Sequence, residues 1–253
     1  MTGSIPRRSG HAAAISAHRG GIEDAHEGTY EAYSAAVRTG AEYVEFDIRR
    51  TADDELVVYH AAAVDGDKAI SDISYAALSE RAGYKVPRVE DVMRLIAGKA
   101  IGHLDLKEIG DEHRVIEMAL EILGAGNLVA TTLEDVSVAA IKARFPSVPV
   151  ALSLGRDLGE ESWRTRLSAR RREVYPLSRI RDCGADWVAM HRRLALVGVL
   201  RQCHRHGIRT MIWTVNSDTM ISRWLADPRV DVLVTDRPRR AVALRERLPH
   251  SAK

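Results

Sequence analysis

Eight short apolar runs, near residues 13–17, 42–48, 99–106, 127–131, 148–153, 186–190, 208–214 and 231–235, recur along the chain. Helical periodicity fills most of the intervals, as in "TYEAYSAAVRTG", "EHRVIEMALEILGAG", "LEDVSVAAIKARF", "LALVGVLRQCHRHG" and "SDTMISRWLAD". Extended segments that repeatedly give way to helical ones are the pattern of a parallel sheet covered by helices. Eight such units in 253 residues point to an α/β fold of one kind, a (β/α)8 TIM barrel. No composition break or low-complexity linker divides them. The expectation is therefore a single domain over 1–253, with about 1–11 and 247–253 as flexible tails. One irregularity interrupts the repeat. After the second strand a further extended piece, "ELVVYH", leads into a loop containing Gly and Asp and two short helical pieces within 61–97, which reads as a short insertion.

Composition removes several classes of function. The 37 basic and 35 acidic residues nearly cancel, so no overall field attracts nucleic acid, and none is expected as a partner. Cys183 and Cys203 fall in no redox or metal-ligand pair and read as ordinary buried thiols. The start "MTGSIPRRSGH" lacks the apolar stretch of a signal peptide, and no run approaches the roughly 18 apolar residues of a membrane span. A cytoplasmic protein without stable membrane insertion is the expectation; oligomeric state is not written in the chain.

Side chains alternate across a strand, so the barrel reading assigns directions. In "EYVEFDIRR", Val44, Phe46 and Ile48 would pack beneath helices while Tyr43, Glu45, Asp47 and Arg49 point into the barrel. In "KAIGHLDLKE", Leu104 and Leu106 face outward, and Ile101, His103, Asp105 and Lys107 face inward. Both strands thus bring carboxylates toward their C-terminal ends, where barrel enzymes hold their sites. Glu45 and Asp47 could be a solvated strand face, and Asp105 with Lys107 a simple ion pair. The same inward polar pattern on two strands favours a site instead. Three converging carboxylates repel one another unless a cation lies between them. Oxygen donors suit Mg²⁺ or Ca²⁺ better than zinc, with Mn²⁺ as a further choice. His18 ends the first strand and His60 ends "ELVVYH", so both reach the mouth; Arg19 and Lys107 add positive charge for an anionic group. Together they form a set able to cleave a phosphoester: one imidazole takes a proton from the nucleophile and the other protonates the leaving oxygen.

The segments "HRG" at 18–20, "EGT" at 27–29, "GAEYVEFDIRRTADDELVVYH" at 40–60, "VPRVEDVM" at 86–93, "LDLK" at 104–107, "WTVN" at 213–216 and "VDVLVTDRP" at 230–238 together resemble the glycerophosphodiester phosphodiesterase family. The resemblance implies a TIM barrel with a small insertion after strand two. It implies an enzyme that hydrolyses small glycerophosphodiesters to glycerol 3-phosphate and an alcohol with one divalent cation. By matching position it gives acid/base roles to His18 and His60, metal ligation to Glu45, Asp47 and Asp105, phosphate contact to Arg19 and Lys107, and a substrate-side place to Trp213. Glu27 falls near the metal, a supporting position shared by His103, which could equally be a packed core imidazole. The chain departs from the family at several points. Asp105 stands where Glu is usual, as in the related sphingomyelinase D branch; His60-Ala61 replaces His-Asp; His26-Glu27-Gly28-Thr29 replaces Pro-Glu-Asn-Thr; and the segment after His60 is short.

Three plainer readings stand beside these. Trp213 could be core, Asp236 in "TDRP" could cap the last helix, and "RLSARRREVYPLSRIR" could be a solvated basic helix. The competing functions are a lysophospholipase D or sphingomyelinase D-like lipid phosphodiesterase, which apolar loops at the mouth would favour, and a non-catalytic barrel that binds a phosphate ligand.

Overall fold

The computed structural model describes residues 12–155 and 170–248. Its strands are β1 (Ala14–Ala17), β2 (Tyr43–Arg50), β3 (Leu56–Val58), β4 (Ala63–Val64), β5 (Lys68–Ala69), β6 (Ile101–Leu106), β7 (Leu128–Thr132), β8 (Val150–Leu154), β9 (Trp187–His191), β10 (Arg209–Trp213) and β11 (Val232–Thr235). Eight of them run parallel in the cycle β1-β2-β6-β7-β8-β9-β10-β11, and pairing of β1 with both β2 and β11 closes the barrel. All eight strands read from the sequence are present. The helices are α1 (Tyr30–Ala36), α2 (Tyr75–Ala82), α3 (Val89–Ile96), α4 (Glu112–Ile122), α5 (Asp135–Arg144), α6 (Leu177–Cys183), α7 (Arg192–Leu196), α8 (Val199–Arg205), α9 (Asp218–Leu225) and α10 (Pro238–Glu246), with a further helical turn over 170–174.

Two apolar layers follow from strand alternation. Val44, Phe46, Ile48, Leu104 and Leu106 join the layer between strands and helices. Tyr43, Val129, Ala151, Trp187, Ala189, Met211, Val232 and Val234 fill the barrel interior. Both sets of inward and outward assignments on β2 and β6 hold. Cys183 and Cys203 are buried free thiols.

Three local features differ from the expectation. The segment "LALVGVLRQCHRHG" is two helices rather than one, because Gly198 takes φ 105 and breaks the run between α7 and α8. The insertion holds more than a loop: β3 lies antiparallel on β2, β4 and β5 form a small hairpin, and Val57, Val64, Ile70, Ile73, Leu78 and Val86 make a separate apolar cluster beneath them. The basic run is broken at Tyr175 and Pro176, and Arg179 is spent on Asp135 at 2.5 Å instead of on solvent. Residues 166–169 of that run lie outside the described residues, as do 1–11 and 249–253; Leu248, expected in a tail, packs against the outer layer.

Candidate active site

Strand register stacks the polar side chains of β2 and β6 in levels. Glu45 is beside His103, and one level nearer the mouth Asp47 is beside Asp105. One oxygen from each of Glu45, Asp47 and Asp105 falls within a group spanning 4.8 Å. Buried this way, the carboxylates differ sharply. Burial, with Asp47 adding to it, pushes the Glu45 carboxyl up to about 8. Burial also opposes ionisation of Asp47, but the His60 hydrogen bond and the charges of Lys107 and Arg19 outweigh it and hold that carboxyl well below the usual range.

The cations sit among these acids. Lys107 Nζ is 2.7 Å from Asp47 Oδ1 and also pairs with Asp105. Burial disfavours its charge, yet Asp105, Asp47 and Glu45 more than compensate, so the ammonium is held. The Arg19 backbone N–H donates to Glu45 Oε2 at 2.8 Å, and its guanidinium donates to Glu27 Oε1 at 2.9 Å. Arg19 Nε is 3.1 Å from Asp47 Oδ2, near enough for an ion pair but not aligned for a hydrogen bond. That placement requires Arg19 to take φ 49, a left-handed backbone that a non-glycine residue adopts at a cost of about 1 kcal/mol. The two glycines after it allow close packing. A Cβ on Gly20 would stand 2.8 Å from the Ala32 carbonyl carbon, and one on Gly21 2.8 Å from Pro238 Cδ.

His18 and His60 flank the carboxylates. His18 Nδ1 bonds Asp236 Oδ1 at 2.5 Å, joining the end of β1 to the end of β11. Asn216 fixes that carboxylate in turn: its Nδ2 donates to Asp236 Oδ2 and its Oδ1 accepts from the Asp236 backbone N–H at 3.0 Å. Burial works against a charged His18, but Glu45 and the bond to Asp236 prevail and raise its pKa. His60 Nδ1 bonds Asp47 Oδ2 at 3.1 Å from a half-exposed position. Its carbonyl accepts from Arg49 Nε and Nη2 at 3.2 and 3.1 Å, while Arg49 Nη1 donates to Glu108 at 2.7 Å.

Beneath the carboxylates His103 is wholly enclosed. Its Nδ1 meets Ser16 Oγ at 3.0 Å and its Nε2 meets Thr131 Oγ1 at 3.2 Å; Thr131 donates to Asp105 Oδ1 at 2.8 Å. Burial lowers its pKa to about 4, so it is a neutral imidazole. Trp213 is half-buried at the end of β10, in edge-to-face contact with His191 at 5.3 Å, and so belongs to both the interior and the mouth.

Asp236 is not a helix cap. Arg237 holds the N-cap position of α10 without a capping side-chain bond, and the Asp236 carboxylate faces His18 instead. The segments "WTVN" and "TDRP" carried Asn216 and Asp236 in plain view, but a bond across 218 residues leaves no local signal.

The donor set suits a hard divalent cation. All three groups are oxygen donors, burial and Asp47 push the Glu45 carboxyl up in spite of His18 and Lys107, and buried Asp47 Oδ1 accepts no well-aligned hydrogen bond despite the nearby ammonium. His18, Glu27 and Asp236 form a second group of potential ligands, but Arg19 and Asn216 already engage its two carboxylates.

A parallel barrel with carboxylates, fixed cations and paired imidazoles at its C-terminal mouth has the make-up of a hydrolase for phosphate esters. The chain belongs to the glycerophosphoryl diester phosphodiesterase family, matching it over residues 18–240, and is thereby an enzyme of phosphodiester hydrolysis. It is similar to YhdW of Bacillus subtilis (strain 168), provisionally named a glycerophosphodiester phosphodiesterase, at 26% identity over 243 residues, 88% of this chain and 94% of the relative. In fold it is similar to a glycerophosphodiester phosphodiesterase of Parabacteroides distasonis, with a TM-score of 0.74, 21% identity, and 93% of this chain and 98% of that one covered. An Oleispira antarctica phosphodiesterase in complex with the product sn-glycerol-3-phosphate aligns with a TM-score of 0.70 at 18% identity, covering 92% and 96% of the two chains. No helix among the described residues is long and apolar enough to cross a membrane.

Proposed function

We propose that this chain hydrolyses small glycerophosphodiesters to glycerol 3-phosphate and an alcohol, with His18 and His60 as the proton-transfer pair and one divalent cation on Glu45, Asp47 and Asp105. The observation that carries this reading is the pair of separately braced imidazoles flanking the carboxylate cluster, His18 on Asp236 and His60 on Asp47. Mg²⁺ and Ca²⁺ both suit three oxygen donors, and such a cation, when bound, draws charge from the phosphoryl oxygens. Arg19 and Lys107 stand beside the same cluster and oppose the negative charge that builds on those oxygens. Glu45 and the hydrogen bond to Asp236 both favour the charged imidazole, which suits His18 to give its Nε2 proton to the leaving oxygen. His60 takes the proton of the nucleophile. On a glycerol diester that nucleophile is the substrate's own 2-hydroxyl, whose tethering gives it a high effective concentration. The histidines exchange roles when water opens the cyclic phosphate. Glu27 orients Arg19, His103 and Thr131 hold Asp105, and Trp213 lines the substrate side.

The experiment is a panel of glycerophosphodiesters assayed with chelator and after return of Mg²⁺, Ca²⁺ or Mn²⁺. Activity should vanish and return. Undiminished turnover by metal-free protein would contradict the cation assignment. A diester lacking the 2-hydroxyl should scarcely be cleaved; its efficient hydrolysis would favour direct attack by water.

One observation favours a second reading. Ile22, Ile109, Leu196 and Val197 are exposed, and each follows a barrel strand at the C-terminal face. Such a rim could lie against an acyl chain, making a lysophospholipid the substrate. Comparing a lysophospholipid with its deacylated glycerophosphodiester decides between them, the first reading requiring the higher kcat/KM for the deacylated compound.

A further inference from the structure

The mouth has a second side. In the strand cycle three strands separate β9 from β2 in either direction, so the end of β9 lies across the barrel from Glu45 and Asp47. Three strand ends build a wall there. His191 closes β9, Trp213 closes β10, and their rings meet edge to face. Gly155, just past β8, lies behind them at φ +115; a Cβ on it would stand 2.5 Å from His191 Cβ and 3.4 Å from Trp213 Cζ2. Only glycine fits, and the rings are held against its backbone.

Positive charge surrounds this wall. Arg192 donates to the Thr214 carbonyl at 2.9 Å, which ties the end of β9 to the end of β10 but leaves the guanidinium uncompensated. Arg193 is exposed, and among the described residues neither Arg192 nor Arg193 has a carboxylate partner. Arg170 is the third cation near the imidazole. The nearby acid, Glu173, is buried and engaged, accepting from the Gly155 N–H at 2.8 Å and from Arg170 at 2.6 Å. Burial, followed by Arg192, Arg193 and Arg170, lowers the His191 pKa, which shows the sign of the local field.

We infer that this wall receives the alcohol portion of the diester and selects alcohols carrying a second anionic group, a phosphate or a carboxylate. The inference rests on the diester reading above. A phosphoryl group held by Arg19 and Lys107 on the β1, β2 and β6 side has β8, β9 and β10 across the mouth from it, and an eight-stranded barrel is narrow enough for a substituent to reach them. An anionic substituent meets the Arg192 and Arg193 guanidiniums there, which lack carboxylate partners among the described residues. A quaternary ammonium would gain from an open Trp213 face, but His191 already packs on that ring and the surrounding charge repels a cation.

The test uses a matched pair, glycerophosphoinositol and its 4-phosphate, with glycerophosphocholine as the cationic comparison. The phosphorylated diester should have the higher kcat/KM, by about tenfold at low salt, for the two guanidinium contacts. The gain should appear in KM, because the attraction acts equally on bound substrate and transition state, and should shrink as salt rises. Arg193→Gln should reduce the ratio of the two kcat/KM values about threefold. Equal values for the pair, a preference for the choline diester, or a ratio unmoved by Arg193→Gln would each overturn the inference while leaving the diester reading intact. Absence of turnover on all three compounds would overturn that reading and this inference with it.

Discussion

His18 and His60 face the same carboxylates but are held in opposite ways. The His18 side chain is 16% exposed and directly follows β1, with its brace, Asp236, directly after β11 and locked by Asn216. His60 is 52% exposed and follows β3, outside the barrel; its ring rests on Asp47, a candidate cation ligand, and its backbone on Arg49. Closure of the barrel therefore fixes the orientation of the His18 ring. His60 instead depends on two residues of β2, the Arg49 guanidinium on its carbonyl and Asp47, a candidate cation ligand, on its ring. A proton donor gains from a fixed charge state, whereas a base that must meet a substrate hydroxyl gains from access.

The largest expected effect strikes both arms. His18→Ala and His60→Ala should each lower kcat by about three orders of magnitude, measured on any accepted diester. The contrast then sharpens with added imidazole, which should restore part of the His60→Ala activity through the exposed position and little of the His18→Ala activity. Equal rescue would break the distinction. Next comes the brace: Asp236→Asn should cost about a hundredfold in kcat, the upper scale for loss of a partner that orients a working group. Arg49→Leu should cost about tenfold in kcat with little change in KM, since it loosens the His60 backbone without touching phosphate. A KM effect alone would place Arg49 in substrate binding.

The smallest effect on catalysis belongs to the third inward histidine. His103 titrates near 4 in the folded protein and near 6.5 when free, so protonation favours the unfolded chain as pH falls. Its contribution is present above pH 6.5 and is lost between there and about 4, amounting to about 3 kcal/mol at most. His103→Gln should flatten that part of the stability curve in denaturant titrations. An unchanged slope would mean that His103 charges inside the barrel.

Much of this architecture was legible because strand alternation is local. Two residues apart on β2, Glu45 and Asp47 announce a shared face, and "LDLK" does the same on β6, so the carboxylate cluster follows from pattern alone. The sequence leaves Asp236 open as a helix cap because an acid before Arg-Pro at a helix start is a common local device, and its partner His18 is distant in sequence. Gly20 and Gly21 pack against Ala32 and Pro238, and the second contact is too distant in sequence to leave a local signal. The β4 and β5 hairpin escaped notice because strands of two residues carry no period to detect. Arg49 was assigned inward correctly, but its attachment to the His60 carbonyl depends on how β3 folds back on β2.

The pH dependence of kcat/KM, compared between the wild-type chain and Asp236→Asn, tests the division of labour most directly. With one imidazole protonated and one neutral, the wild-type profile should be bell-shaped, its high-pH limb set by the raised pKa of His18. Asp236 favours the imidazolium, so replacing it with a neutral amide lowers that pKa. The high-pH limb should move to lower pH while the other limb stays. A profile that merely drops in height, with both limbs in place, would contradict the account and return Asp236 to a structural role.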